Sequence, residues 1–369
     1  MDPTQQDPGS TSLVWDVGTA YELFVSLHVL HEPEFYELRP SWAAGIRSRI
    51  SLPERTFLEE VVPFLGLPQR QLNWVYQLPK PKDARSVIYA LRDLPATERG
   101  IVLLGLRNAT RPESGRLLEI AGRNSWDKDD LAALAPILCK EEPRHGEDEL
   151  VKFLDRWEHP ADFGKMLLLS LEAYNQAFFE KEEKRIEPVL QAGLEHARRV
   201  SGSLSASELI TELSRGYHPA EAIGNSLIVV PNFWMTPLIC LEKISPDQML
   251  FLFGARPSTM SAIPGEQVPD GLLRTLKALA DPTRLKILRY LYQEELGPSE
   301  LARRLDLRSP TITHHLKELR LAGLVNLTIK GQEKRYQARL EAFDDTNADM
   351  KRFITNISGE EPPPEARRT

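Results

Sequence analysis

The stretch 281–336, DPTRLKILRYLYQEELGPSELARRLDLRSPTITHHLKELRLAGLVNLTIKGQEKRY, constrains this chain more than any other. Its punctuation predicts helix, helix, short turn, helix and then a two-stranded hairpin. Asp281 offers a carboxylate cap to a helix whose first position is Pro282, where the missing N–H costs nothing. Leu285, Ile287, Leu288 and Leu291 supply an apolar stripe at helical spacing. A second helix starts at Pro298 after Gly297 and buries Leu301, Ala302 and Leu305. Asp306, Leu307 and Arg308 make the turn. Ser309 is expected to cap the third helix, with Pro310 in its first position, and Gly323 to end it in a positive φ.

The third helix has two unlike faces. Ile312, His315, Leu316 and Leu319 follow the i, i+3, i+4, i+7 spacing of a buried side. Pro310, Thr313, His314 and Lys317 follow it one face round, with Thr311 and Arg320 beside them. A helix that enters a DNA major groove needs this arrangement, with short donors and acceptors at base edges and cations near phosphates. The next run alternates: Val325, Leu327 and Ile329 are apolar, and Asn326, Thr328 and Lys330 are polar, as in a half-buried strand. A turn rich in cations follows (Lys330, Lys334, Arg335), then a return strand over 336–340. A basic hairpin tip beside such a helix can reach an adjacent minor groove. A helical hairpin with a solvated charged face is the competing reading of 298–323 alone; the basic hairpin at the right distance favours DNA.

The motifs ADPTRLKIL, SPTITHHLKELRLAGLV and the glycine-turn wing ending in Arg335-Tyr336 resemble the ArsR family of bacterial winged helix-turn-helix repressors, over about 80 residues from Leu272. The resemblance implies a homodimer on double-stranded DNA. Leu272, Leu273, Leu276 and Leu279 before the unit, and Phe343, Met350, Phe353 and Ile357 after it, lie at helical spacing where the family builds its two-fold interface. Such a dimer sets two recognition helices about one DNA turn apart. The alternative is that both stripes pack within one subunit. Expected DNA contacts are Ser309, Thr311, Thr313, His314 and Lys317 in the groove, and Arg308, Arg320, Lys330, Lys334 and Arg335 mostly on phosphates. Many family members sense soft metals through cysteines of the helix-turn-helix. Gly297, Ser299 and Glu300 stand at the matching positions here, so that route lacks its sulfur ligands.

Charge supports the placement. The 369-residue chain carries −7 overall. Residues 270–340 hold 14 Lys and Arg against 8 Asp and Glu, a surplus of six, so the remainder carries −13. Cations concentrate where DNA is expected. Cys139 and Cys240 give neither a disulfide framework nor a metal spacing. No apolar run reaches the roughly 20 residues of a membrane span, and the polar, acidic start is unlike a signal peptide. These features predict a cytoplasmic protein.

Before the helix-turn-helix unit the chain predicts an α-rich region. A strand over 13–17 precedes helices at 19–31, 42–50, 53–65, 68–78, 83–94, 97–106, 112–121, 128–139, 147–157, 161–199 with a break near Pro188, and 207–214. Three short apolar runs then read as strands at 227–230, 238–241 and 249–253. The Pro-, Gly- and Ser-rich run 255–270 is expected as a linker. The fold class is mainly α: disorder over 1–11, an α-rich sensor or interaction domain with a small sheet over 12–254, a winged helix-turn-helix domain over 271–357, and a disordered tail over 358–369. VGTAYELFVSLHVLHEPEF, Trp42 and VVPNFWMTPLICLE are similar to long N-terminal regions attached to some ArsR-type regulators, which implies an accessory or sensor role.

No G-x-S-x-G, H-E-x-x-H, G-x-x-x-x-G-K-[ST] or G-x-G-x-x-G occurs, which argues against familiar hydrolase, metalloprotease and nucleotide functions. Neither catalysis nor a cofactor or metal is expected. His28, His31 and Glu32 share a helix face without a second cluster to complete a metal site. Trp42, Trp74, Trp126, Phe233 and Trp234 are either ordinary core or the lining of an effector pocket, for a small molecule or a protein. Two other function classes remain open at this point: an unfamiliar enzyme with a DNA-binding tail, and a protein-interaction module carrying one.

Overall fold

Strand β3 (Ser226–Asn232) is buried along its whole length, and the sequence SLIVVPN shows why. Ile228 and Val230 enter one apolar core, and Leu227 and Val229 enter another on the opposite face. A strand covered on both sides needs apolar residues at every position rather than alternation. The computed structural model describes residues 11–36, 38–65, 69–108, 111–139, 146–219, 223–266, 268–330 and 333–355. The termini expected to be disordered therefore lie outside the described residues, except Thr11.

Beside β3 run β1 (Ser12–Trp15) and β5 (Gln248–Gly254), both parallel to it, and β4 (Cys240–Ser245) closes the order β1-β3-β5-β4 antiparallel to β5. The register sets Ser12 opposite Ser226 and Gln248 opposite Ser226 on the other side. Met249, Phe251 and Phe253 point into the core of Leu227, and Leu250 and Leu252 into that of Ile228.

On the Ile228 side lies a layer of helices: α1 (Thr19–His31), α2 (Pro40–Arg47), α3 (Leu52–Val61), α4 (Gln69–Gln77), α5 (Ala84–Asp93), α6 (Ala96–Leu103), α7 (Pro112–Arg123), α8 (Lys128–Leu138), α9 (Glu147–Trp157), α10 (Pro160–Tyr174) and α11 (Glu180–Val200). Helix α12 (Ala206–Leu213) joins the core on the Leu227 side. Helix α1 is buried nearly all round, as its mostly apolar sequence requires. The break expected at Pro188 does not occur. Helix α11 runs through it, and the irregularity is a π-helical turn over Asn175–Phe179 between α10 and α11. Pro188 and Lys184 are both exposed, so the carbonyl left without an N–H partner is on the solvent side and not in the core.

The five singled-out aromatic residues lie in or against the core. Trp42 stacks on Trp234 with centroids 5.5 Å apart, Phe233 meets Trp234 edge-on, and Trp74 meets Phe24 edge-on. Trp126 is half-buried, its Nε1 donating to Asp155 at 3.0 Å. The proline-rich run 255–270 lies against this body, with Ala262 and Ile263 buried and the Ala262 N–H donating to Asp270 at 2.7 Å.

The C-terminal part has its own core. It comprises α13 (Asp270–Leu279), α14 (Pro282–Gln293), α15 (Pro298–Leu305), α16 (Ser309–Leu321), the hairpin β6 (Val325–Lys330) and β7 (Glu333–Ala338), and α17 (Glu341–Thr355). A bridge between Leu296 and Tyr336 ties the hairpin to the loop after α14, which completes a winged helix-turn-helix. Leu285 is a correction. It is 49% exposed whereas Ile287, Leu288 and Leu291 are buried, because it sits roughly 110° round the helix from the centre of their face.

The two parts join through an element with no local signal in the chain. A two-residue strand, β2 (Tyr217–His218), pairs in parallel with β6, setting Tyr217 opposite Leu327 and His218 opposite Thr328. Strand β6 of the wing is therefore the middle strand of a three-stranded sheet, β2-β6-β7. Gly216 makes the approach possible. Its φ is +102°, and a Cβ there would stand 2.0 Å from Asn326 Oδ1.

Candidate nucleic-acid interface

Helix α16 is positioned from both ends. Before it, Asp306 adopts φ +53°, and the Leu307 N–H donates to the Ala302 carbonyl at 3.0 Å. Asp and Asn are the non-glycine residues that tolerate this left-handed conformation best. The helix begins at Ser309, with Arg308 as its N-cap residue and no side-chain cap. The helix thus starts one residue earlier than expected, with Ser309 in its first position and the Thr313 hydroxyl donating to the Ser309 carbonyl at 3.0 Å. At the far end Gly323 has φ +70°. The Leu324 N–H reaches the Leu319 carbonyl at 3.0 Å and the Gly323 N–H reaches that of Arg320 at 2.9 Å. This is the Schellman pattern that glycine permits.

Ile312, Leu316 and Leu319 are fully buried and fix the rotation of the helix. His315 is half-buried, its Nδ1 has no partner, and burial lowers its pKa. That rotation leaves Arg308, Ser309, Thr311, Thr313, His314 and Lys317 exposed on one continuous surface. Asp281 holds the start of α14 as expected, accepting from the Arg284 N–H at 2.9 Å, and this bond lowers its pKa.

The remaining expected contacts sit differently. Arg320 is half-buried in a crevice with Tyr217, Pro237 and Leu327. Lys334 is exposed on β7. The backbone of Lys330 pairs with Glu333 at the hairpin end, while its side chain and residues 331–332 lie outside the described residues. Arg335 is engaged within the domain: its Nη1 donates to Glu300 at 2.7 Å and its Nη2 to Glu333 at 3.3 Å. Glu300 also accepts from the Gly297 N–H at 2.8 Å, and that bond, with Arg335 beside it, holds its pKa down. The pair fastens the wing to the start of α15.

One neighbour of α16 had no signal in the local pattern. The Lys317 ammonium lies 5.0 Å from the centroid of the Phe35 ring, in the loop after α1. The N-terminal region therefore touches the exposed face of α16.

Among the described residues no group of three His, Cys, Asp or Glu is arranged to hold a metal ion, and no helix is long and apolar enough to cross a membrane. His31 Nδ1 is bonded to the Leu27 carbonyl at 2.8 Å, and burial lowers the ring's pKa to about 4.

A helix-turn-helix domain family matches residues 279–328. The HTH-type transcriptional regulator CmtR of Mycobacterium tuberculosis is 41% identical over 71 residues, which are 19% of this chain and 60% of that protein. The arsenical resistance operon repressor of Staphylococcus xylosus is 34% identical over 84 residues, 23% of this chain and 81% of that protein. The crystal structure of an ArsR family transcriptional regulator shows 28% identity, covering 22% of this chain and 90% of the other, with a TM-score of 0.21. The chain thus spans about three-fifths of the length of the first of these relatives.

Proposed function

The chain belongs to the ArsR family of helix-turn-helix regulators, and from that premise we propose that it is a dimeric, sequence-specific DNA-binding transcription regulator whose N-terminal region adjusts DNA binding. One observation carries the reading: the exposed surface of α16 from Arg308 to Lys317, whose opposite face is locked into the domain core. Ser309, Thr311, Thr313, His314 and Lys317 face base edges, Arg308, Lys330 and Lys334 meet phosphates, and Arg320 joins them when it leaves the crevice it shares with Tyr217 and Pro237. Arg335 acts through Glu300, positioning the wing. Repression is the expected direction of control, and the arsenical resistance operon repressor among the relatives supports it.

A second copy of the chain is the partner. Leu273 and Leu276 on α13 are 42% and 39% exposed, and Phe353 and Ile354 on α17 are 41% and 65% exposed. These two helices pack on each other, so their apolar side chains lie on neighbouring elements. Covering them with the same surface of a second subunit gives the two-fold arrangement that half-site reading needs. The division into a sensor region over 12–254 and a DNA-binding domain over 271–357 belongs to this reading, supported by the separate apolar cores. Regulation is a population shift. The Lys317–Phe35 contact and the β2–β6 pairing hold the reading helix against the N-terminal region, and an effector changes how often they are formed.

Fluorescence anisotropy of the full chain on DNA from upstream of its own gene, against a scrambled duplex and at several salt concentrations, tests the proposal. The expected result is salt-dependent binding with a large preference for the upstream duplex. Equal weak binding to both counts against it.

A further inference from the structure

A cavity of about 780 Å³ lies where the N-terminal region meets the winged helix-turn-helix domain. Its walls carry His196 and Arg215 from the first part, Arg256 from the run that lies against it, and Arg274, Arg339 and Arg352 from the second part. Among the described lining residues, three acids, Glu212, Asp345 and Asp349, stand beside five arginines, and Asp349 is bonded to Arg352 at 2.8 Å.

Arg256 is a buried cation with an open donor. It is 6% exposed. Its Nη2 donates to the Thr236 carbonyl at 3.1 Å, and its nearest carboxylate contact, to Asp270, is long at 3.5 Å. Its Nη1 is buried without a partner. Leaving a charged donor unsatisfied in a protein interior is costly, so each such group asks for an explanation. The neighbourhood adds to the strain. Burial lowers the pKa of Arg256 to about 10, with Arg274, Arg185 and Arg215 contributing repulsion. Arg215 is exposed at the cavity wall, with Arg339 and Arg274 as like-charged neighbours and Asp349 and Asp345 opposing them. A buried guanidinium with an open donor beside other arginines is stabilised by an anion, and the planar fork of arginine matches the paired oxygens of a phosphate or carboxylate. The volume is that of an ordinary small-molecule site.

We infer that this junction is the effector site, and that it takes a small molecule bearing a phosphate or carboxylate group, held by Arg256 with Arg215, Arg274, Arg339 and Arg352 around it. Because the arginines come from both parts of the chain, a bound anion clamps the winged domain onto the N-terminal region and stabilises the arrangement in which Phe35 touches Lys317. This clamping step rests on the reading of α16 as the DNA-binding helix; the binding site itself does not. The site differs from the aromatic pocket considered from the sequence, whose residues are in or against the core.

Isothermal titration of the full chain with pyrophosphate and, separately, with citrate tests the inference, with chloride at matched ionic strength as the control. At least one of the two is expected to bind saturably, and which one binds identifies the anionic group. Arg256→Gln should weaken that binding about tenfold or more, as expected for a lost charge-assisted hydrogen bond. Arg352→Gln, a change at a half-exposed rim position, should weaken it less and serves if Arg256→Gln does not fold. Saturable binding of neither anion, or equal binding by both variants and the unaltered chain, overturns the inference. Anisotropy on the same preparations separates the two readings, since a chain that binds DNA specifically but no anion loses only this site.

Discussion

Replacing Phe35 isolates the contact between the N-terminal region and the reading helix. The Lys317 ammonium is 5.0 Å from the ring centroid, and Lys317 is an exposed residue. A cation over an aromatic face at an exposed site is worth about 0.5–1 kcal/mol. If DNA binding must release the contact, Phe35→Ala removes that opposing energy and tightens DNA binding about 2- to 5-fold. Phe35 also packs edge-on against Tyr36 at 5.0 Å, so Phe35→Leu is the companion variant, keeping apolar volume without the π face. Anisotropy at one fixed salt concentration measures both. The same changes in a Lys317→Ala background complete a double-mutant cycle, and there the gain should vanish because no cation remains. Unchanged or weaker binding by both Phe35 variants, or an equal gain without Lys317, refutes the reasoning.

Other expectations are more local. Lys334→Ala should reduce affinity on all sequences and make the plot of log K against log salt shallower by roughly 0.9; an unchanged slope removes Lys334 from the phosphate contacts. Leu276→Glu places a charge on the proposed two-fold interface and should turn a dimer into a monomer in sedimentation equilibrium. Gly216→Ala forces a Cβ against Asn326 at a φ of +102°, so the thermal midpoint should fall, by an amount corresponding to about 1–3 kcal/mol. Glu22 is wholly buried, and burial raises its pKa from an ordinary 4.5 to about 8. Between those values the folded chain keeps a proton that the unfolded chain has lost. Its contribution is therefore complete below pH 4.5 and is lost as pH rises to 8, at up to about 1.4 kcal/mol per pH unit. Glu22→Gln should flatten that part of the stability profile, and an unaltered profile would show that Glu22 does not titrate there.

The winged helix-turn-helix was legible because its signals are local. Asp281, Pro282, Pro298 and Gly323 mark ends through backbone chemistry acting over three or four residues, and the apolar spacing of Ile312, Leu316 and Leu319 sets the buried side. Leu285 was misplaced because a lone leucine at the edge of a helix face satisfies the spacing without being covered. The strand runs around β3 to β5 stood out as apolar segments, but their pairing did not. Strand β1 meets β3 more than two hundred residues later, and no local pattern specifies such a partner. Strand β2 is two residues long, too short for alternation to register. Pro188 was misleading because the carbonyl it frees, that of Lys184, lies on the solvent side, where the helix tolerates the lost bond and keeps its course. The Lys317–Phe35 contact and the arginine cavity both arise from elements distant in sequence, and the charge count of 270–340 alone could not show that Arg274 and Arg339 face Arg256 and Arg215 rather than DNA.

The central claim is that α16 reads base edges. Selection of bound duplexes from a random pool by the full-length chain, repeated with Thr311→Ala and His314→Ala, tests it most directly. The unaltered chain should enrich a two-fold symmetric sequence with half-sites about one helical turn apart. Each variant should lose preference at discrete positions, with each lost base contact costing about 1–3 kcal/mol of discrimination. Failure to enrich any sequence, or recovery of the same motif at full strength by both variants, would contradict the account.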